Sequence, residues 1–165
     1  MKTEITKLIH KLNSVLQGTP WYNEPLIHKL ESIDYKIANI TPTGLNYSVA
    51  RLVKHMINWR RFAIDKIEGK NQYYIELNSA DDWPAINITS NEDWITLKKE
   101  LVETHVTFFN LLQEKDDQFL EQTVQGREYN FYYLINGITE HDIYHSGQVA
   151  VVSRLAKLYL SDVEK

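Results

Sequence analysis

Two histidines one helical turn apart, His141 and His145, are the residues of this 165-residue chain best placed to do chemistry. They sit on an apolar stripe running Leu134, Ile138, His141, His145, Gln148, Val152, Leu155 and Tyr159, with spacings that alternate between 4 and 3. Such a stripe is the seam a helix turns toward a bundle core. Three consecutive seats on it are imidazole, imidazole and carboxamide, where Leu or Ile would be expected. Polar groups buried together cost free energy unless they pair or bind something. The i, i+4 spacing puts both rings on one face, close enough to share one metal ion.

A metal usually takes three or more protein ligands, and His55 is the natural third. It lies one turn from Leu52 and from Trp59, close to the apolar face of its own helix. Three imidazoles from two facing helices leave at least one position for water or substrate. That is the pattern of a catalytic rather than a closed structural zinc site, with metal–nitrogen distances of about 2.0–2.1 Å. Zinc or nickel stands first among the divalent ions, and iron or manganese also accepts imidazole. The plain alternative for the pair is two hydrogen-bonded core histidines. A zinc-protease helix is not expected: its motif needs Glu directly after the first His, and here Asp142 follows His141.

The remaining polar candidates carry less chemistry. His105 keeps a 4, 3, 4 pattern with Leu101, Phe108 and Leu112. It reads as a packed or interface histidine, with approach to the metal as the alternative. His10 lies off its helix's stripe and is expected in solvent, and His28 has no partner in sequence. Gln148 is expected to hydrogen-bond a ligating histidine from behind, with a polar core residue joining helices as the alternative. Trp83, in a long linker, is the candidate for a pocket lid. Glu76, Asp81 and Asp82 lie in the same linker and become general bases only if it folds over the metal; a solvated loop is the expectation. There is no phosphate loop, dinucleotide fingerprint or nucleophile elbow.

The elements that must position these residues are helical almost throughout. Ile5, Leu8, Ile9, Leu12, Val15 and Leu16 define a first helix, stopped by Gly18 and Pro20. A short helical piece follows around Leu26 to Ala38. A second long helix is expected from Tyr47 to Glu68, ended by Gly69. Residues 70–89 read as a linker, long enough to cross a bundle. Ser90 and Asp93 resemble a capping box opening a third helix to Lys115, whose apolar residues cover more than one stripe and allow a dimer face. After a loop through Gly126, the last helix spans Tyr129 to Leu160. The expectation is an all-α, single-domain four-helix bundle over residues 1–165.

Composition limits the partners. A net charge of −4 gives no electrostatic case for nucleic acid. No apolar run approaches the ~20 residues needed to cross a bilayer. Without cysteine, a thiolate site and a thiol nucleophile are both excluded. The N-terminus has no continuous apolar run of a secretory signal, so a cytoplasmic location is expected.

Three stretches resemble the DinB-like, YfiT-related family of metal-binding four-helix bundles, which is unrelated to the DNA polymerase sharing the name. Ser48-Val-Ala-Arg-Leu-Val-Lys-His55-Met-Ile-Asn-Trp59 is similar to its second-helix histidine with a tryptophan four residues on. Glu140-His141-Asp-Ile-Tyr-His145-Ser-Gly147-Gln148 is similar to its H-x-x-x-H-x-G-Q signature. Gly18-Thr-Pro-Trp21-Tyr-Asn-Glu-Pro25-Leu26 resembles the loop after helix one in one branch. The resemblance implies an up-down-down-up path, a divalent ion on His55, His141 and His145, and often a homodimer. Characterised relatives include transferases and isomerases that use a low-molecular-weight thiol. The implied function is a metal-dependent thiol transferase or hydrolase acting on a small molecule. The alternative is a non-catalytic metal- or ligand-binding module in stress response or protein interaction.

Overall fold

The computed structural model describes residues 2–163, with side chains described to Ser161. Seven helices and no strand are present among the described residues: α1 (Thr3–Leu16), α2 (Leu26–Glu31), α3 (Tyr35–Asn39), α4 (Val49–Ile67), α5 (Asn91–Gln113), α6 (Asp117–Glu121) and α7 (Phe131–Val163). The four long ones form the bundle. α4 packs on α5 and α7, and α1 packs on the same two helices from the other side. None of these helices is long and apolar enough to cross a membrane.

Local chemistry explains the boundaries. The Ser48 hydroxyl accepts from Arg51 N at the start of α4, and Ser90 and Asp93 form the full capping box at the start of α5. These side chains satisfy amide donors that the first helical turn leaves open. The piece expected as one helix from Leu26 to Ala38 is two, because the Asp34 carboxylate caps a fresh start by accepting from Lys36 N at 2.8 Å. The loop expected before Gly126 contains α6, started in the same way by Asp116.

Two apolar clusters fill the core, and a polar layer separates them. The first gathers Leu16, α2, α3, the first half of α4 to Ile57, α5 to Leu101, and Val149, Val152 and Ala156 of α7. The second gathers Ile5, Leu8 and Leu12 of α1, α4 from Phe62, α5 from Phe108, α6, and α7 to Ile138. Between them lie the buried or half-buried Asn13, His55, Asn58, Arg60, Thr104, His105, His141, Asp142 and His145. Along α1 and α7 the chain passes from the second cluster to the first; along α4 and α5 it passes back. The 70–89 segment must therefore return alongside the bundle. Its Ile75 joins the second cluster and its Ile88 the first, so the residues between them pass the polar layer.

The seam on α7 departs from the sequence reading at its far end. Val152 is buried as read, but Leu155 and Tyr159 are exposed, at 40% and 49%, and the core takes Val149 and Ala156 instead. A strict 4, 3 alternation averages 3.5 residues, whereas a straight α-helix turns every 3.6, so the pattern drifts about 20° per heptad. The drift carries the last seats of a correctly started seam into solvent. On α5 the buried side chains form one stripe from Trp94 to Leu112, and Ile95 and Val106 of the second stripe stay exposed.

Candidate metal centre

His55 projects from α4, and His141 and His145 project from α7, which packs against it. The three rings meet through their Nε2 atoms. His55 lies 2.9 Å from His141 and 3.0 Å from His145, and His141 lies 3.0 Å from His145. His55 and His145 are buried and His141 is half-buried. Among the described residues no fourth His, Asp or Glu joins this group.

Two of the rings are fixed by acceptors behind them. The Nδ1–H of His55 donates to the Asp82 carbonyl oxygen at 2.7 Å and its carboxylate lies 2.9 Å away. The Nδ1–H of His145 donates to Gln148 Oε1 at 2.6 Å. Gln148 is oriented in turn, since its Nε2 donates to Tyr47 and Tyr144 hydroxyls at 3.2 Å. These partners set the tautomers. With their protons on Nδ1, His55 and His145 face each other with bare Nε2 lone pairs. His141 Nδ1 is buried without a protein partner.

A positive charge suits the focus of such a cluster, and an added proton fits poorly. Burial first, then the two neighbouring imidazoles and Arg60, pushes the His141 pKa down from 6.5 to about 2. Burial lowers His145 to about 4, against the Gln148 bond. Burial also lowers His55, with Asp82 opposing it. Neutral imidazole is the form a metal binds. Nitrogens at about 2.0–2.1 Å from a tetrahedral ion lie about 3.3 Å from one another, a few tenths of an ångström more than the separations here. The residues fit a divalent cation.

The linker supplies the rest of the wall. Asp82 was expected in a solvated loop; it is 2% exposed. Its Oδ1 accepts from Trp59 Nε1 at 2.8 Å and its Oδ2 from the Asn78 amide at 2.7 Å. Arg51 donates to the Trp83 carbonyl at 2.7 Å and Asn58 to the Asp81 carbonyl at 2.6 Å. Arg51, His55, Asn58 and Trp59 form one face of α4, so a single polar stripe clamps residues 81–83. Trp83 lies flat on His55, ring centroids 3.8 Å apart and planes 8° from parallel, with Tyr47 stacked at 5.6 Å from it. The indole packs against a histidine face. Asn58, Arg51 and Tyr47 were missed by the sequence reading, and Asp82 entered it only as a general base should the linker fold over the metal. The polar spacing 51, 55, 58 beside the apolar Leu52, Met56 and Trp59 was the available signal.

His141 opens the cluster to solvent. It borders a cleft of about 250 Å³ walled by Trp59, Tyr129, Tyr133, Leu134 and Ile138. Gly137 lies in the same wall, with nothing within 4 Å of where a Cβ would stand. Behind His141, Asp142 and Arg60 form a fully buried ion pair at 2.7 Å that ties α7 to α4.

His105 is not brought to the cluster. It is 1% exposed, and among the described residues its only polar contact is Nε2 to Asn13 Oδ1 at 3.3 Å. Burial first, then Arg60, pushes its pKa down to about 3. The unfolded chain takes a proton near pH 6.5 that the folded chain refuses until about pH 3. Stability is therefore present above that window and falls as pH drops through it, by up to about 1.4 kcal/mol per pH unit from this group. His105→Leu is expected to flatten the loss of stability measured by urea unfolding between about pH 7 and 5. An unchanged slope would mean the core accepts the charged ring. His10 is exposed, as expected.

A family model described as the DinB superfamily matches residues 26–149, three quarters of the chain, which contain all three clustered histidines. No curated protein matches.

Proposed function

The chain belongs to the DinB superfamily, and from that premise we propose that it is a divalent-metal-dependent enzyme of the thiol-transferase or hydrolase type acting on a small molecule. The observation that carries this reading is the convergence of three neutral Nε2 atoms within 3.0 Å of one another beside an apolar cleft. His55, His141 and His145 would hold the ion, with zinc or nickel fitting three nitrogen donors best. Once bound, it supplies Lewis acidity that lowers the pKa of a thiol or water at its open position.

The chain's own residues supply positioning. Asp82 and Gln148 keep the Nδ1 protons of two ligands and so aim their lone pairs inward. Trp83 covers the outer face of His55 and excludes water from that side. Trp59, Leu134 and Ile138 offer an apolar seat next to His141, the one ligand with a route to solvent.

Zinc- or nickel-loaded protein is expected to speed conjugation of an electrophilic probe with one or more of a panel of low-molecular-weight thiols by about tenfold or more. The rate should climb with pH through an ionisation well below a free thiol's pKa of about 8.5. Turnover of an ester without any thiol would instead place it among hydrolases. Silence with every thiol and ester at full metal occupancy would overturn the enzyme reading in favour of a binding module.

A further inference from the structure

The cleft beside His141 does not end at its apolar walls. A second recess of about 350 Å³ shares Trp59, Leu77 and Tyr129 with it and adds Glu76 and Arg127. Arg127 stands on a built loop. Val124 N donates to the Tyr129 carbonyl at 2.9 Å and Arg127 N to the Val124 carbonyl at 3.0 Å, around Gly126 at φ +74°. Arg127 is half-buried, with its guanidinium laid 5.1 Å over the Phe62 ring. Arg60 and Arg61 each pair with a carboxylate; among the described residues Arg127 pairs with none.

We propose that the small molecule held at the histidine cluster carries a carboxylate seated on Arg127, an inference that rests on the metal-dependent reading above. Its reacting heteroatom would lie by His141, its apolar or aromatic body against Trp59 and Tyr129, and its anionic end in the second recess. A planar guanidinium presents paired donors that match a carboxylate. One cation beside the exposed carboxylate of Glu76 suits a single negative charge. A phosphate dianion would meet greater repulsion there.

Cobalt(II)-loaded protein titrated with 4-(mercaptomethyl)benzoate and with 4-(mercaptomethyl)benzamide tests this, followed by thiolate-to-cobalt charge-transfer absorbance. The acid is expected to bind about tenfold tighter than the amide. Arg127→Leu should bring the two to parity by weakening the acid alone, and Arg127→Lys should keep part of the preference. Equal affinities in the native sequence, or a preference that survives Arg127→Leu, would overturn the carboxylate seat. Charge transfer with neither thiol would instead sink the open metal position. In that event 4-ethylbenzoate and 4-ethylbenzamide, titrated into chelator-treated protein against tryptophan fluorescence, decide the seat by themselves. Tighter binding of the acid, lost in Arg127→Leu, upholds it, and parity removes it.

Discussion

Replacing any one of His55, His141 and His145 by alanine is expected to take the metal content from about one ion per chain to none after dialysis, whereas His10→Ala should change nothing. Each ring supplies one of only three nitrogen donors, and nothing in the group can replace it. The two remaining rings would leave the other positions to water, too weak a hold to survive dialysis. A graded effect is expected one shell out. Gln148→Ala leaves all three donors but removes the side-chain acceptor that holds the His145 ring, and loss of such a partner typically costs 10–100-fold in affinity. Gln148→Glu keeps an acceptor for the Nδ1 proton and should cost less. Elemental analysis and competition with a chromophoric chelator read both effects. Equal metal in all the variants would remove the assignment.

The largest effect on stability is expected from the buried ion pair. Arg60 and Asp142 are both fully buried, and Arg60 Nε and Nη2 donate to one carboxylate oxygen at 3.0 and 2.7 Å. Asp142→Ala leaves a guanidinium buried with only the Leu101 carbonyl, 3.3 Å away, for company. Stranding a charge in this way costs about 3–5 kcal/mol. For a chain of this size that is a fall in Tm on the order of 10–15 °C. The double replacement Arg60→Met with Asp142→Leu should regain most of it, because apolar groups of similar volume often substitute for a buried pair without loss. Calorimetry in the presence of chelator keeps ion binding out of the comparison. A single-variant loss below about 1 kcal/mol would show that water reaches the stranded arginine.

How much of this was legible in the sequence depends on distance along the chain. His141 and His145 could be read together because one helical turn fixes their relation, and His55 because Leu52 and Trp59 mark its face. The four long helices followed from apolar periodicity and from caps such as Ser90 with Asp93. Trp83 was legible only as a candidate lid from the linker, and Asp82 not as a wall residue at all. Their place depends on a return path along the bundle, and on bonds to Arg51, His55 and Asn58 that span more than twenty residues. Leu155 and Tyr159 were misplaced for a local reason, the gap between 3.5 and 3.6 residues per turn. Arg127 could not be tied to a cleft, because residues 123–130 have no period to read.

The three imidazoles are not equivalent, and this separates how tightly the cluster holds from how quickly it lets go. His55 and His145 are braced at Nδ1, while His141 has no such brace and alone faces the cleft. The braced pair would set the depth of the well, and the unbraced ring would be its gate. Exchange of an ion, or of a molecule displacing one donor, would run through rotation of His141. Changes in the Tyr129–Tyr133 wall should therefore alter residence time more than affinity at equilibrium.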